Sequence, residues 1–125
     1  MPRFVVLRHE LPATSARASH WDLMFEENAA LRTWAINEDL RLVHHQPAEA
    51  LALHRLAYLD YEGPVSGDRG MVTRWDRGEI EIESDEPGRF VARLIGELLR
   101  GRITLIEDPA DHSWRVSFAA EPTSG

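Results

Sequence analysis

His20-Trp21-Asp22 is the densest piece of chemistry in this chain. On a β-strand, residues i and i+2 share a face, so the imidazole and the carboxylate project together and Trp21 points the other way. Such a pair offers a nitrogen and a charged oxygen to a divalent cation. A third ligand is needed, and His9, at the end of the preceding strand-like run, is the nearest. The same pair is more often a hydrogen-bonded structural dyad, and the residues alone leave both readings open. His54 and Tyr58 stand four apart. If that stretch makes a helical turn they share a face. There an imidazole and a phenol could donate to a phosphate or serve as general acid. The plainer reading is a core-edge pair with polar tips.

The remaining histidines say less. His44 and His45 are adjacent and would face opposite ways on a strand, and His112 sits in a turn-like Asp-Pro-Ala-Asp-His-Ser; both read as surface. All 14 basic residues are arginine. With no lysine there is no Schiff base and no Walker lysine, and with no cysteine there is no thiol nucleophile, disulfide or Cys-ligated zinc. Arginine remains as the bidentate phosphate ligand, and Arg8, Arg17, Arg69, Arg74 and Arg77 lie near the His-bearing or turn segments. Against that stands a net charge of −7, which disfavours polyanion binding through bulk charge.

The elements that must position these groups read mostly as strands. Phe4 to Arg8, His20 to Glu26, Leu31 to Ile36, Phe90 to Leu94, Arg102 to Ile106 and Trp114 to Phe118 are short apolar or alternating runs. Glu27 to Ala30 reads as a hairpin turn. Arg77-Gly78 reads as a second, between Met71–Asp76 and Glu79–Glu83. Pro47 to Tyr58 is ambiguous: its residues favour helix, while Ala50 to Leu53 would also suit a buried strand. Trp21, Trp34, Trp75 and Trp114 lie among apolar residues and read as core filling before base stacking. The predicted fold is mainly β: a compact antiparallel β-barrel of seven or eight strands with at most one short helix. One domain is expected over residues 1–118, with a frayed tail at 119–125. No apolar run is long enough to span a membrane and no signal peptide is visible, so a cytoplasmic protein is expected.

Taken in order, these pieces resemble a family. They are Phe4-Val-Val-Leu-Arg-His9, Ser19-His-Trp-Asp-Leu-Met-Phe-Glu26, Leu31-Arg-Thr-Trp-Ala-Ile36, His54-Arg-Leu-Ala-Tyr-Leu-Asp-Tyr-Glu-Gly63, Arg74-Trp-Asp-Arg-Gly78 and Leu94-Ile-Gly-Glu-Leu-Leu-Arg-Gly-Arg102. The chain resembles the 3′-phosphoesterase domain of the bacterial end-joining DNA ligase D. That resemblance implies a barrel with a concave, metal-containing site. It also implies Mn²⁺-dependent (or other divalent-metal-dependent) trimming of nucleic-acid 3′ ends in repair, removing a terminal ribonucleoside and then the 3′-phosphate. By the same resemblance the metal ligands fall on His9, His20 and Asp22, and the phosphate-contacting catalytic pair on His54 and Tyr58. It tilts the ambiguous segment toward a strand ending near His54 and a short turn carrying Tyr58. A separate ligase or repair protein is an expected partner, with nucleic-acid ends held weakly at this net charge.

Three positions depart from the family. Met24 stands where the family has an arginine, Glu38 where it has a lysine, and Gln46 aligns with another arginine. A phosphoryl group needs positive charge aimed at its oxygens in the transition state, and losing one such donor typically costs about 10²–10³ in rate. Two readings follow. In one, the chain is a metal-dependent phosphoesterase whose lost clamp is replaced by Arg74, Arg69, Arg17 or Arg8. In the other, it is a weak or inactive relative acting as a metal-stabilised module that binds nucleic acid or a repair partner. A plain barrel without a site would make five aligned polar residues an accident.

Overall fold

The computed structural model describes residues 1–122. Strands β1 (Arg3–Glu10), β2 (His20–Glu27), β3 (Ala30–Ile36) and β4 (His45–Ala50) lead into a bridging segment. That segment holds β5 (His54–Arg55), a 3₁₀ turn (Leu56–Leu59) and β6 (Gly63–Pro64). Then come β7 (Met71–Glu86), β8 (Arg89–Gly96), β9 (Arg100–Glu107) and β10 (Trp114–Ala120). The order β1-β2-β3-β4-β10-β9-β8-β7, with β7 pairing back to β1, closes an antiparallel barrel of eight strands, as the sequence predicts. Closure removes the free edges that such a sheet would otherwise expose. No helix among the described residues is long and apolar enough to cross a membrane.

Three sequence expectations resolve. Pro47 to Tyr58 is strand and turn, not helix: Gln46 and Ala48 alternate inward, and β4 pairs with both β10 and β3, so tertiary pairing overrides helix propensity. Arg77-Gly78 is not a hairpin. β7 runs unbroken for 16 residues, and Gly78 pairs with Phe4 on one side and Gly96 on the other. A Cβ there would strike the Ile95 carbonyl oxygen, so the glycine marks a close backbone passage where β7 turns from β1 toward β8. The chain reverses instead at Pro87-Gly88, between β7 and β8. Finally, β10 continues to Ala120 and the Glu121 N–H bonds the Arg100 carbonyl, so the barrel extends past residue 118. Of the expected tail, residues 123–125 lie outside the described part.

The alternation of β1 to β3 builds two apolar layers on one wall. Phe4, Val6, Leu23, Phe25, Trp34 and Ile36 point into the barrel and join Phe90, Trp114 and Phe118. Trp34 is the hub, with ring centroids 5.9, 5.7 and 5.2 Å from Phe25, Phe90 and Trp114. Trp21 and Trp75 pack against this core while half-buried. The outward set, Val5, Leu7, Met24 and Leu31, is also buried, beneath Leu56, Tyr58, Leu59 and Val65 of the bridging segment. That segment crosses the outside of the wall from β3, where His54 pairs with Leu31, to β7, where Gly63 pairs with Val72. The wall is therefore covered on both faces, and one end of its outer layer is polar.

Candidate metal centre and its cleft

Register places the three candidate ligands. In the β1–β2 pairing His9 lies directly opposite His20, and Leu7 opposite Asp22. Directly opposed residues point to the same face. His9, His20 and Asp22 thus emerge together on the outer face, continuing the row of Val5, Leu7 and Met24. One ligand atom from each residue comes within 4.8 Å of the others. Asp22 and His20 are buried, with side chains only 4% exposed, and His9 is 16% exposed.

Backbone carbonyls fix both rings. A carbonyl only accepts, so His20 Nδ1–H donates to Ala18 O at 2.9 Å, and His9 Nε2–H donates to Arg69 O at 2.7 Å. The neutral rings then present lone pairs at His20 Nε2 and His9 Nδ1. These face the carboxylate at 3.0 Å (His20 Nε2 to Asp22 Oδ1) and 3.5 Å (His9 Nδ1 to Asp22 Oδ2). Asp22 Oδ1 is buried and accepts no hydrogen bond. Two imidazole lone pairs and an orphaned carboxylate oxygen repel unless something positive sits among them. A proton on a ring or a divalent cation satisfies that demand, and the carbonyl-anchored tautomers are the arrangement that ligating histidines adopt. The donor set fits a hard or borderline divalent metal.

Without a metal, protons do the work. Burial alone would raise the Asp22 carboxyl; His20 and His9 outweigh it and hold it at about 2. Donation from the protonated His9 ring to the Asp22 carboxylate raises His9 above its ordinary value. The signs follow by linkage. The depressed Asp22 adds stability that is present above its unfolded value of 3.8 and is lost as pH falls toward about 2. The raised His9 adds stability that is full below 6.5 and is lost as pH rises through its folded value. Metal-stripped protein should therefore melt lower on the alkaline side. A divalent ion held by the deprotonated rings should abolish that alkaline decline. Thermal melts across pH with chelator or with Mn²⁺ check this; an alkaline limb identical in a His9→Gln variant would refute it.

The trio forms part of a cleft. A recess of about 340 Å³ is lined by His9, His20, Asp22, His54, Leu51, Ser15, Arg17 and Arg69. A smaller one of about 140 Å³ shares His9, Asp22, His54 and Arg69, and adds Met24, Tyr58, Val65 and Val72. His54 and Tyr58 come from the bridging segment and close the cleft from above, their rings edge to face at 5.7 Å. His54 Nδ1–H donates to Ala52 O at 2.9 Å, leaving Nε2 free. A larger concavity, about 580 Å³, lies elsewhere on the barrel. Its Arg3, Arg77 and Arg100 are balanced by Asp60, Glu79 and Glu97, and it holds no comparable donor set.

Residues 13–107 match the family model of the DNA Ligase D 3′-phosphoesterase domain. The chain belongs to that family. The match contains His20, Asp22, His54 and Tyr58 and begins just after His9. The chain is 31% identical over 119 residues to the multifunctional non-homologous end joining protein LigD of Mycobacterium bovis. It is equally similar to the multifunctional non-homologous end joining DNA repair protein LigD of Mycobacterium tuberculosis. Each alignment covers 86% of this chain. LigD of Mycolicibacterium smegmatis is 27% identical over 121 residues. The chain spans about 15% of the length of these relatives.

The four arginines put forward from the sequence divide. Arg69 and Arg17 line the cleft. Arg8 points to the other face of β1 from His9, and its guanidinium stacks 4.2 Å over Trp21. Arg74 is held by Glu62, which accepts its backbone N–H at 2.8 Å and lies 3.6 Å from its guanidinium. Neither Arg8 nor Arg74 lines the cleft. The departures from the LigD family pattern are built into the fold. Met24 is an apolar part of the cleft lining. Gln46 spends its buried amide on the Glu38 N–H and on the Glu38 and Val43 carbonyls. Glu38 is exposed.

Sequence reading missed the carbonyl anchors. The signal for one was the Gly67-Asp68-Arg69-Gly70 turn. Gly70 has φ +83°, and a Cβ there would collide with the Glu10 carbonyl. Only glycine lets this turn close on the end of β1 and deliver the Arg69 carbonyl to His9.

Proposed function

We propose that this member of the LigD family is a divalent-metal-dependent phosphoesterase acting on nucleic-acid 3′ ends, with Mn²⁺ the favoured ion. The observation that carries the reading is the convergence of two carbonyl-anchored imidazoles on a buried carboxylate with an orphaned oxygen, facing His54 and Tyr58. His9, His20 and Asp22 would hold the ion. The chemistry such an ion supplies when bound is neutralisation of phosphoryl oxygens and a more acidic water.

The chain's own groups do the rest. Protonated at Nε2, His54 donates to a non-bridging or leaving oxygen, and Ala52 keeps its ring oriented. Tyr58 packs on that ring and positions it. Arg69 brings positive charge to the cleft on the 66–70 turn, where its Nε–H donates to Ser66 O at 2.7 Å. Arg17 is joined to Glu49 at 3.2 Å; both side chains are exposed, so the pair is easily exchanged for an anion. Positive charge thus comes from two loops instead of from position 24.

The test is release of inorganic phosphate from a 3′-phosphorylated primer-template, and of a terminal ribonucleoside, with added Mn²⁺. Product above a His20→Ala control is expected; none would overturn the reading. Arg69→Ala should raise KM for the 3′-phosphate about tenfold, the scale of one charge-assisted hydrogen bond. It should leave metal-induced stabilisation intact, because alanine keeps the carbonyl that holds His9. Steady-state kinetics beside thermal melts separate the two.

The buried Met24 and the fully engaged Gln46 favour a second reading, a binding module without turnover. It predicts that Mn²⁺ raises the melting temperature while no phosphate is released. A separate ligase or repair protein would then be the partner to seek.

A further inference from the structure

Beside the cleft lies a second recess of about 230 Å³, which shares Tyr58 and Val65 with it. Its other walls include Arg55, Tyr61, Pro64 and Ser66. Tyr58 and Tyr61 meet edge to face, centroids 5.7 Å apart and planes at 85°. The Tyr61 hydroxyl donates to the Pro64 carbonyl, which fixes the ring, and the residue stays 37% exposed. Arg55 is exposed on β5 at the rim.

We infer that this recess receives the base of the 3′-terminal nucleotide, stacked on Tyr61, while its phosphate occupies the metal-facing cleft. The inference deepens the phosphoesterase reading and rests on it. Three observations support the assignment. The first is contiguity: a base and a 3′-phosphate are joined through one sugar, so their subsites must adjoin, and these two recesses share walls. The second is chemistry: aromatic walls with an arginine and a hydroxyl at the edge suit a planar, polar-rimmed heterocycle and are indifferent to which base it is. The third is the source of affinity. With Met24 in the cleft and a net charge of −7, backbone electrostatics contribute little, and stacking supplies what the clamp does not. The volume is below the usual range for a whole ligand, so one base enters and the rest of the strand stays outside.

The experiment uses the full chain loaded with Mn²⁺ and two phosphate esters: adenosine 3′-monophosphate, and glycerol 2-phosphate, which has no base. Binding is read by calorimetry and turnover separately by released phosphate. Adenosine 3′-monophosphate should bind roughly tenfold more tightly. Tyr61→Ala should erase that advantage without changing glycerol 2-phosphate binding. Arg55→Ala, at an exposed rim position that leaves the tyrosine pair in place, should erase part of it. The affinity difference should persist at raised salt. Equal affinities for the two esters, or a Tyr61→Ala loss shared by both, would overturn the base subsite. Base-dependent binding without phosphate release would instead remove the phosphoesterase reading and leave the recess standing.

Discussion

Asp22→Asn should weaken divalent-metal binding by more than about 100-fold and reduce Mn²⁺-dependent phosphate release to background. The lower bound comes from groups that merely orient metal ligands, whose loss already costs about 10–100-fold. Asp22 is more central than such a group. It is the only carboxylate of the trio, and it lies within 3.5 Å of both imidazoles. Asparagine keeps the volume and one oxygen but removes the charge, and it turns an NH₂ toward a cluster of lone pairs. The fold should survive, because the surrounding outer layer is apolar and unchanged in shape. Titration calorimetry with Mn²⁺ on the folded variant decides the matter. Affinity within tenfold of the parent would mean that the cation, if any, sits elsewhere.

His54→Ala should leave metal binding unchanged and lower turnover by about 10²–10⁴, the range for a positioned general acid or base. The separation follows from geometry. His54 enters from β5 on the bridging segment, while the three candidate ligands come from β1 and β2. Its Nδ1 is committed to Ala52, so only Nε2 is available to the cleft. Removing the ring opens space beside Tyr58 without disturbing the carbonyls that hold His9 and His20. Metal-induced thermal shifts should match the parent while phosphate release collapses. Equal turnover would reduce His54 to a packing residue, and loss of metal binding would make it a ligand.

These two outcomes, with Arg69→Ala, assign the site by layers. Asp22 reports on the cation, His54 on proton transfer, and Arg69 on anion capture. A binding module without turnover would lose metal binding on the first substitution and would release no phosphate for His54→Ala to reduce.

Much of this was legible before any fold was known. Period-two spacing in His20-Trp21-Asp22 put two candidate ligands on one face of a strand, and the alternating apolar runs announced a closed antiparallel sheet. Those features are local, because a strand's pleat alone decides which side chains share a side. Other matters needed the tertiary structure. Arg77-Gly78 looks like a turn from composition, yet the glycine serves a close crossing between β7 and β8 that only the barrel creates. Arg8 neighbours His9 in sequence and is turned from it by the same pleat, whereas Arg69, sixty residues away, reaches the site through one glycine-closed turn. Residue types and spacing along a strand named the candidate ligands. Which groups meet, which carbonyls orient them and which arginines face the cleft depended on β1–β2 register and on a segment crossing the outer wall. Contacts between distant residues follow from packing the whole chain, and no local stretch encodes them.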